Sequence, residues 1–136
     1  MRFSPAAIAL SLSFAMISSA GIGGRADDDI DPQSTALLQS GQEAMKAGKV
    51  EDAIGWYETA LAVDPRNRAA YISMAEAVQK QGLNGKAIRF YKEALEIDPN
   101  DQVALGGQAE AMIAKGAIEP ARKNIARLKM LCRTDC

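Results

Sequence analysis

The chain has 136 residues, 48% of them apolar and 5% aromatic, with a net charge of −1 and no histidine. That apolar content excludes a chain too polar to fold, and the near-zero charge gives no electrostatic footprint for nucleic acid. The lack of histidine removes the commonest general base and the commonest metal ligand.

Arg2 gives the N-terminus a positive start, and Ala6 to Ile17 form an uncharged apolar run followed by small residues. This pattern predicts a secretory signal peptide over residues 1–26, cleaved after Ala26, with Ala20 as the alternative point. The run is shorter than the roughly 20 apolar residues that a bilayer-spanning helix needs, so no stable membrane anchor is expected after cleavage. Residues 27–33 read as an acidic segment that opens with Asp27, Asp28 and Asp29.

From residue 34 to residue 133 the chain repeats itself. Gly48, Ala53, Tyr57, Ala60 and Pro65 return 34 positions later as Gly82, Ala87, Tyr91, Ala94 and Pro99. A weaker third copy carries Gly116, Ala121, Ile125 and Leu128. The units are 34–67, 68–101 and 102–133, followed by a tail at 134–136. A period of this size marks a helical solenoid. In the second unit Tyr71, Met74, Ala75 and Val78 share one helical face that runs to Gln81. Gly82 breaks that helix, and Asn84 is expected to cap the next one. Ile88, Tyr91, Ala94, Leu95 and Ile97 form the apolar side of that second helix. Asp98-Pro99-Asn100-Asp101 closes the unit, because a residue before proline is pushed out of the α region and Asn and Asp favour turns.

Six helices are therefore predicted between about Gln33 and Leu131, with breaks near Gly48, Asp64-Pro65, Gly82, Asp98-Pro99 and Gly116. Gly41, Ala75 and Ala109 fall late in the first helices, and Ala53, Ala87 and Ala121 early in the second. Small residues at both places let the two helices cross closely, and Tyr57, Tyr71 and Tyr91 fill the wider gaps. Gly106 and Gly107 sit inside a predicted helix, where each costs roughly 1 kcal/mol against alanine. Close approach of a neighbouring helix is the expected reason, and a groove floor for a ligand backbone is the alternative.

These residues resemble the tetratricopeptide repeat family. The first copy carries the likeness on Leu37, Gly41, Gly48, Ala53, Tyr57, Ala60 and Pro65. The second carries it on Tyr71, Ala75, Gly82, Ala87, Tyr91, Ala94 and Pro99. The third keeps Leu105, Ala109, Gly116, Ala121 and Leu128, and has Arg133 at the closing proline position. The resemblance implies an all-α, right-handed superhelical solenoid of three helix-turn-helix units, built for binding. In such arrays the first helix of each unit lines a concave groove. By that resemblance the lining here is Leu38, Gln42, Met45, Ile72, Ser73, Glu76, Lys80, Val103, Gly106 and Glu110. Chaperone-docking members grip a peptide's terminal carboxylates with Lys, Asn and Arg on this face. The corresponding places here hold Leu38, Gln42, Ser73, Val103 and Gly107. The expected partner is therefore a protein segment, extended or helical, with apolar anchors and a basic residue near Glu76 and Glu110.

Charge is unevenly spread. Residues 27–64 sum to −7, residues 65–114 cancel, and residues 115–133 sum to +5. Arg122 replaces Ile54 and Ile88 of the earlier copies, and Lys129 replaces Leu61 and Leu95, which reads as a solvating terminal cap. Cys132 and Cys136 are the only cysteines. In an oxidising compartment an even pair reads first as a disulfide. No Cys-x-x-Cys, phosphate loop or acid-base pair is present, so no catalytic residues, cofactor or metal are expected. The sequence reads as a non-catalytic interaction scaffold of the bacterial periplasm or cell envelope. The alternatives are a structural protein that self-associates through its acidic front and basic back, and an accessory factor of secretion, pilus or outer-membrane assembly.

Overall fold

The computed structural model describes residues 29–133. The predicted signal peptide and Cys136 lie outside them. The described chain forms six helices: α1 (Pro32–Lys46), α2 (Val50–Val63), α3 (Arg68–Lys80), α4 (Asn84–Ile97), α5 (Gln102–Ala114) and α6 (Ile118–Leu131). They pair as α1 with α2, α3 with α4 and α5 with α6, and α2 and α4 each pack on the first helix of the next unit. The six helices and their breaks fall where the sequence places them. The fold is a helical solenoid of three helix-turn-helix units.

The two kinds of turn are held by different chemistry. Within each unit a glycine at positive φ (75°, 76° and 78° at Gly48, Gly82 and Gly116) reverses the chain. No β-carbon has to be accommodated there. Leu83 N–H donates to Val78 O at 3.0 Å and Gly82 N–H to Gln79 O at 2.8 Å, so the last carbonyls of α3 are satisfied by the turn itself. The next helix starts almost at once. Its N-cap is Leu83, without a side-chain bond, and Asn84 is already helical. The expected Asn84 cap is thus corrected: the glycine turn leaves no separate capping position for it.

Between units, acidic and amide side chains do cap. Asp31, Asn67 and Asp101 accept from Gln33 N–H at 2.7 Å, Ala70 N–H at 3.1 Å and Ala104 N–H at 2.8 Å. The first corner is also cross-linked to the start of the fold. Ser34 Oγ donates to Ala60 O at 2.8 Å, and Asn67 Nδ2 donates to Ser34 Oγ at 2.8 Å. At the second corner Arg68 stands in the place of Ser34 and pairs with Asp98 and Asp101.

The core is thin and rich in alanine. Ala53, Ala60, Ala75, Ala87 and Ala94 are fully buried, with Met74, Tyr57 and Tyr91 among them. The tyrosines need room on the facing helices. A β-carbon on Gly41 would lie 2.3 Å from the Tyr57 ring, and one on Gly107 would lie 2.3 Å from the Tyr91 ring. In α6 only Ala121 is buried. Arg122 lies in solvent beside Glu119 at 3.2 Å, while its counterparts Ile54 and Ile88 pack against the core.

Asp64 is the most heavily bonded carboxylate at a corner. Arg66 reaches it through Nε at 3.1 Å and Nη2 at 3.0 Å, and the Arg66 and Asp31 amides donate at 2.9 Å each. The Arg66 side chain, followed by these amides, lowers its pKa from 3.8 to about 2. Because the folded pKa is depressed, the stabilisation is present above the ordinary value and is lost as pH falls through about 2. Thermal melts between pH 5 and 2 should show the wild type losing stability across this window, whereas Asp64→Asn should start lower at neutral pH and change less. Parallel curves for the two proteins would contradict this role.

Candidate protein-binding groove

The first helices α1, α3 and α5 lie side by side, and two depressions run along them. One, of about 470 Å³, is lined by Gln42, Met45, Lys46, Tyr57, Ser73, Glu76 and Lys80. The other, of about 530 Å³, is lined by Glu76, Gln79, Lys80, Tyr91, Gln102, Val103, Gly106, Gly107 and Glu110. Glu76 and Lys80 belong to both, so the two form one furrow across the three units. Its apolar surface comes from Met45, Val103 and the two glycines, with the buried Tyr57 and Tyr91 rings lying beneath it. Its rims carry carboxylates, amides and two lysines.

Of the residues assigned to this face from sequence, Gln42, Met45, Ser73, Glu76, Lys80, Val103, Gly106 and Glu110 line the furrow. Leu38 and Ile72 do not. Leu38 is buried in the core, 8% exposed, and Ile72 packs against that core. Both positions are repeat equivalents of Gly106. At this position Leu38 is taken into the core and Ile72 rests half-buried against it, whereas Gly106 has no side chain to place. Tyr57 and Tyr91 line the furrow although they belong to second helices. They reach it between the first helices, over Gly41 and Gly107. Gln79, Gln102, Lys46 and Gly107 complete the lining. The sequence signal for the tyrosines is the pairing of a large ring on one helix with a glycine on the next.

The electrostatics centre on Tyr91. Its hydroxyl donates to Gln79 Oε1 at 3.2 Å. Burial, and then the Glu76 and Glu110 carboxylates, push its pKa up to about 12. The phenol therefore stays a neutral donor between two acidic groups. Glu76 keeps contact with solvent, yet the furrow walls withdraw part of its hydration and raise its pKa, with Lys80 partly offsetting this. A carboxylate that has lost hydration favours an incoming cation. Burial also raises the pKa of Tyr57, with a hydrogen bond to Ser73 opposing it. Among the described residues no group of acidic, His or Cys side chains is placed to hold a metal ion, and no helix is long and apolar enough to cross a membrane.

Two tetratricopeptide repeat family models match the sequence, over residues 38–102 and 79–131. The chain belongs to the tetratricopeptide repeat family. Solved structures share the fold. The second such domain of Spaghetti (RPAP3) bound to the HSP90 peptide SRMEEVD superposes with a TM-score of 0.72 at 23% identity, covering 74% of this chain and 93% of that one. The Sgt2 domain from Aspergillus fumigatus gives 0.68 at 25% identity, covering 71% and 64%. The type III secretion translocator chaperone SycD of Yersinia enterocolitica gives 0.72 at 19% identity, covering 77% and 80%. A search of curated proteins by sequence finds no match.

The adjacent glycines have different neighbours, and this makes a paired prediction. A β-carbon on Gly106 would meet Leu128 Cδ1 at an ordinary 3.9 Å. Gly107→Ala should therefore destabilise the fold by about 1–3 kcal/mol, the usual range for overpacking. Gly106→Ala should be neutral or should stabilise by up to about 1 kcal/mol through helix propensity. Chemical denaturation of the two variants checks this, and equal effects would refute the assignment of Gly107 to the Tyr91 contact.

Proposed function

We propose that this chain is a non-catalytic scaffold that holds a segment of another protein in the furrow formed by α1, α3 and α5. The observation that carries the reading is the continuity of that furrow across all three units, with Glu76 and Glu110 on either side of the Tyr91 phenol. Family membership supports a binding role, since such solenoids present extended concave surfaces to partners. The second Spaghetti domain is bound to an HSP90 peptide, SRMEEVD, with three acidic residues among its last four. The furrow here has a different balance in its third-unit half, where the carboxylates of Glu76 and Glu110 share one depression with a single lysine, Lys80. The segment that fits carries apolar side chains over Val103 and Met45 and a Lys or Arg at the two glutamates.

The place of action in this reading is the periplasm or cell envelope, as a scaffold or assembly adaptor. The N-terminal charged-then-apolar pattern supports export, and the Cys132 and Cys136 pair suits an oxidising compartment. Assembly of secretion, pilus or outer-membrane machinery is a role compatible with the fold shared with SycD.

The test is affinity capture from an envelope extract followed by titration of the captured partner. Glu76→Gln combined with Glu110→Gln should weaken binding roughly three- to tenfold, as expected for partly solvated charge pairs. Because the Glu76 pKa lies above its ordinary 4.5, affinity should fall as pH is lowered through that raised value, and the double variant should lose most of this dependence. Binding that is insensitive to both substitutions and to pH would overturn the assignment of the furrow.

A further inference from the structure

A second cavity opens on the other side of the solenoid, between the second helices α2 and α4. It has a volume of about 230 Å³, and its apolar wall is Ile54, Met74, Val78, Leu83 and Phe90. Leu83, in the glycine turn, is 41% exposed at its mouth. Three charged side chains rim it: Glu58 from α2, and Lys86 and Arg89 from α4. Among the described residues no ion pair engages any of the three.

At the next junction of the same array, polar side chains bridge the matching positions. The repeat equivalents of Met74 and Phe90 are Gln108 and Asn124. There Asn124 Nδ2 donates to Gln108 Oε1 at 2.7 Å and to Leu105 O at 3.4 Å, and Gln108 Nε2 donates to Ile88 O at 3.1 Å. These bonds tie α6, α5 and α4 together across the matching space, and Gln108 is buried, 6% exposed. Leu83 and Phe90 thus become Ala117 and Asn124 at a junction bridged by its own polar side chains. Between the first two units the same positions keep large apolar side chains around an opening that nothing in the described chain fills. The contrast lies within one protein, so it does not follow from the fold as such.

We propose that this cleft is a second docking site, independent of the furrow, for a protein segment that inserts one large apolar side chain and places carboxylates against Lys86 and Arg89. The volume is below the roughly 300–1,000 Å³ of small-ligand pockets and suits a single side chain. The net positive rim selects an acidic segment, and charge complementarity of this kind sets partner choice and orientation. A chain carrying both sites holds two segments on opposite faces of one small array, which is how an adaptor joins two proteins.

The test is selection of a random dodecapeptide library on immobilised wild-type protein, with three variants as counter-targets. Met74→Gln combined with Phe90→Asn transplants the polar seal of the neighbouring junction and should close the cleft. Lys86→Glu combined with Arg89→Glu leaves the apolar wall intact and reverses the rim. Glu76→Gln combined with Glu110→Gln alters only the furrow. The expected result is a class of peptides with an aliphatic or aromatic residue flanked by Asp or Glu. They should bind the wild type and the furrow variant equally, lose at least tenfold in affinity on the sealed variant, and be replaced by Lys- or Arg-flanked peptides on the reversed rim. Failure of the furrow hypothesis would leave this pattern unchanged, so the two readings are separable. Absence of any such class, sensitivity to the furrow variant instead, or indifference to rim reversal would each overturn the proposal. The surface charge variant keeps the test decisive if the sealed core variant does not fold.

Discussion

The contact between a tyrosine ring and a glycine on the facing helix is the constraint on which the rest of the structure depends. With a core made mostly of alanine, few side chains are large enough to fix one helix against the next. Tyr57 and Tyr91 do so, and each needs a place without a β-carbon, at Gly41 and Gly107. The two contacts are not repeats of one another. Tyr57 keys into the first helix of its own unit, whereas Tyr91 keys into the first helix of the following one. One closes a helical hairpin, and the other joins two units. The same rings lie directly beneath the furrow, so the residues that set the spacing of the first helices also support the depressions between them.

Polar groups divide the remaining work. The corners between units are held by Asp64, Asn67, Asp98 and Asp101 with their arginine or amide partners. The turns within units need only a glycine at positive φ. This division explains why Asp-Pro and Gly recur in phase while the residues around them drift. Ser34 and Arg68 occupy equivalent positions with different chemistry, because each needs only to tie its corner to a neighbour. Where a junction is apolar, between α2 and α4, it stays open. Where it is polar, between α4 and α6, its own side chains bridge it through α5.

The repeat period, the six helices and their breaks were legible in the sequence because Gly, Pro and Ala act locally and the offset is constant. Most of the furrow was legible too, since first-helix positions one repeat apart share a face. What failed did so for tertiary reasons. Leu38 and Ile72 share a repeat position with Gly106, but Leu38 is buried in the core and Ile72 is half-buried against it, so equivalence of position did not mean equivalence of surface. Asn84 looked like a cap by residue type, but the glycine turn reaches the helix without needing one. Tyr91 and Gly107 are sixteen positions apart and on helices from different units. Only the packing of α4 on α5 shows that the two are one contact, and that the double glycine exists mainly for the sake of its second member.

A double-mutant cycle on Tyr91 and Gly107 tests the central claim most directly. Gly107→Ala, Tyr91→Ala and the combination are each compared with the wild type by equilibrium denaturation. If the glycine is there to seat the ring, removing the ring removes its cost. Alanine at position 107 should then be neutral or stabilising in the Tyr91→Ala background, with a coupling energy of about 1 kcal/mol or more. Additive effects within about 0.5 kcal/mol would show that the two residues do not depend on each other, and would contradict the account.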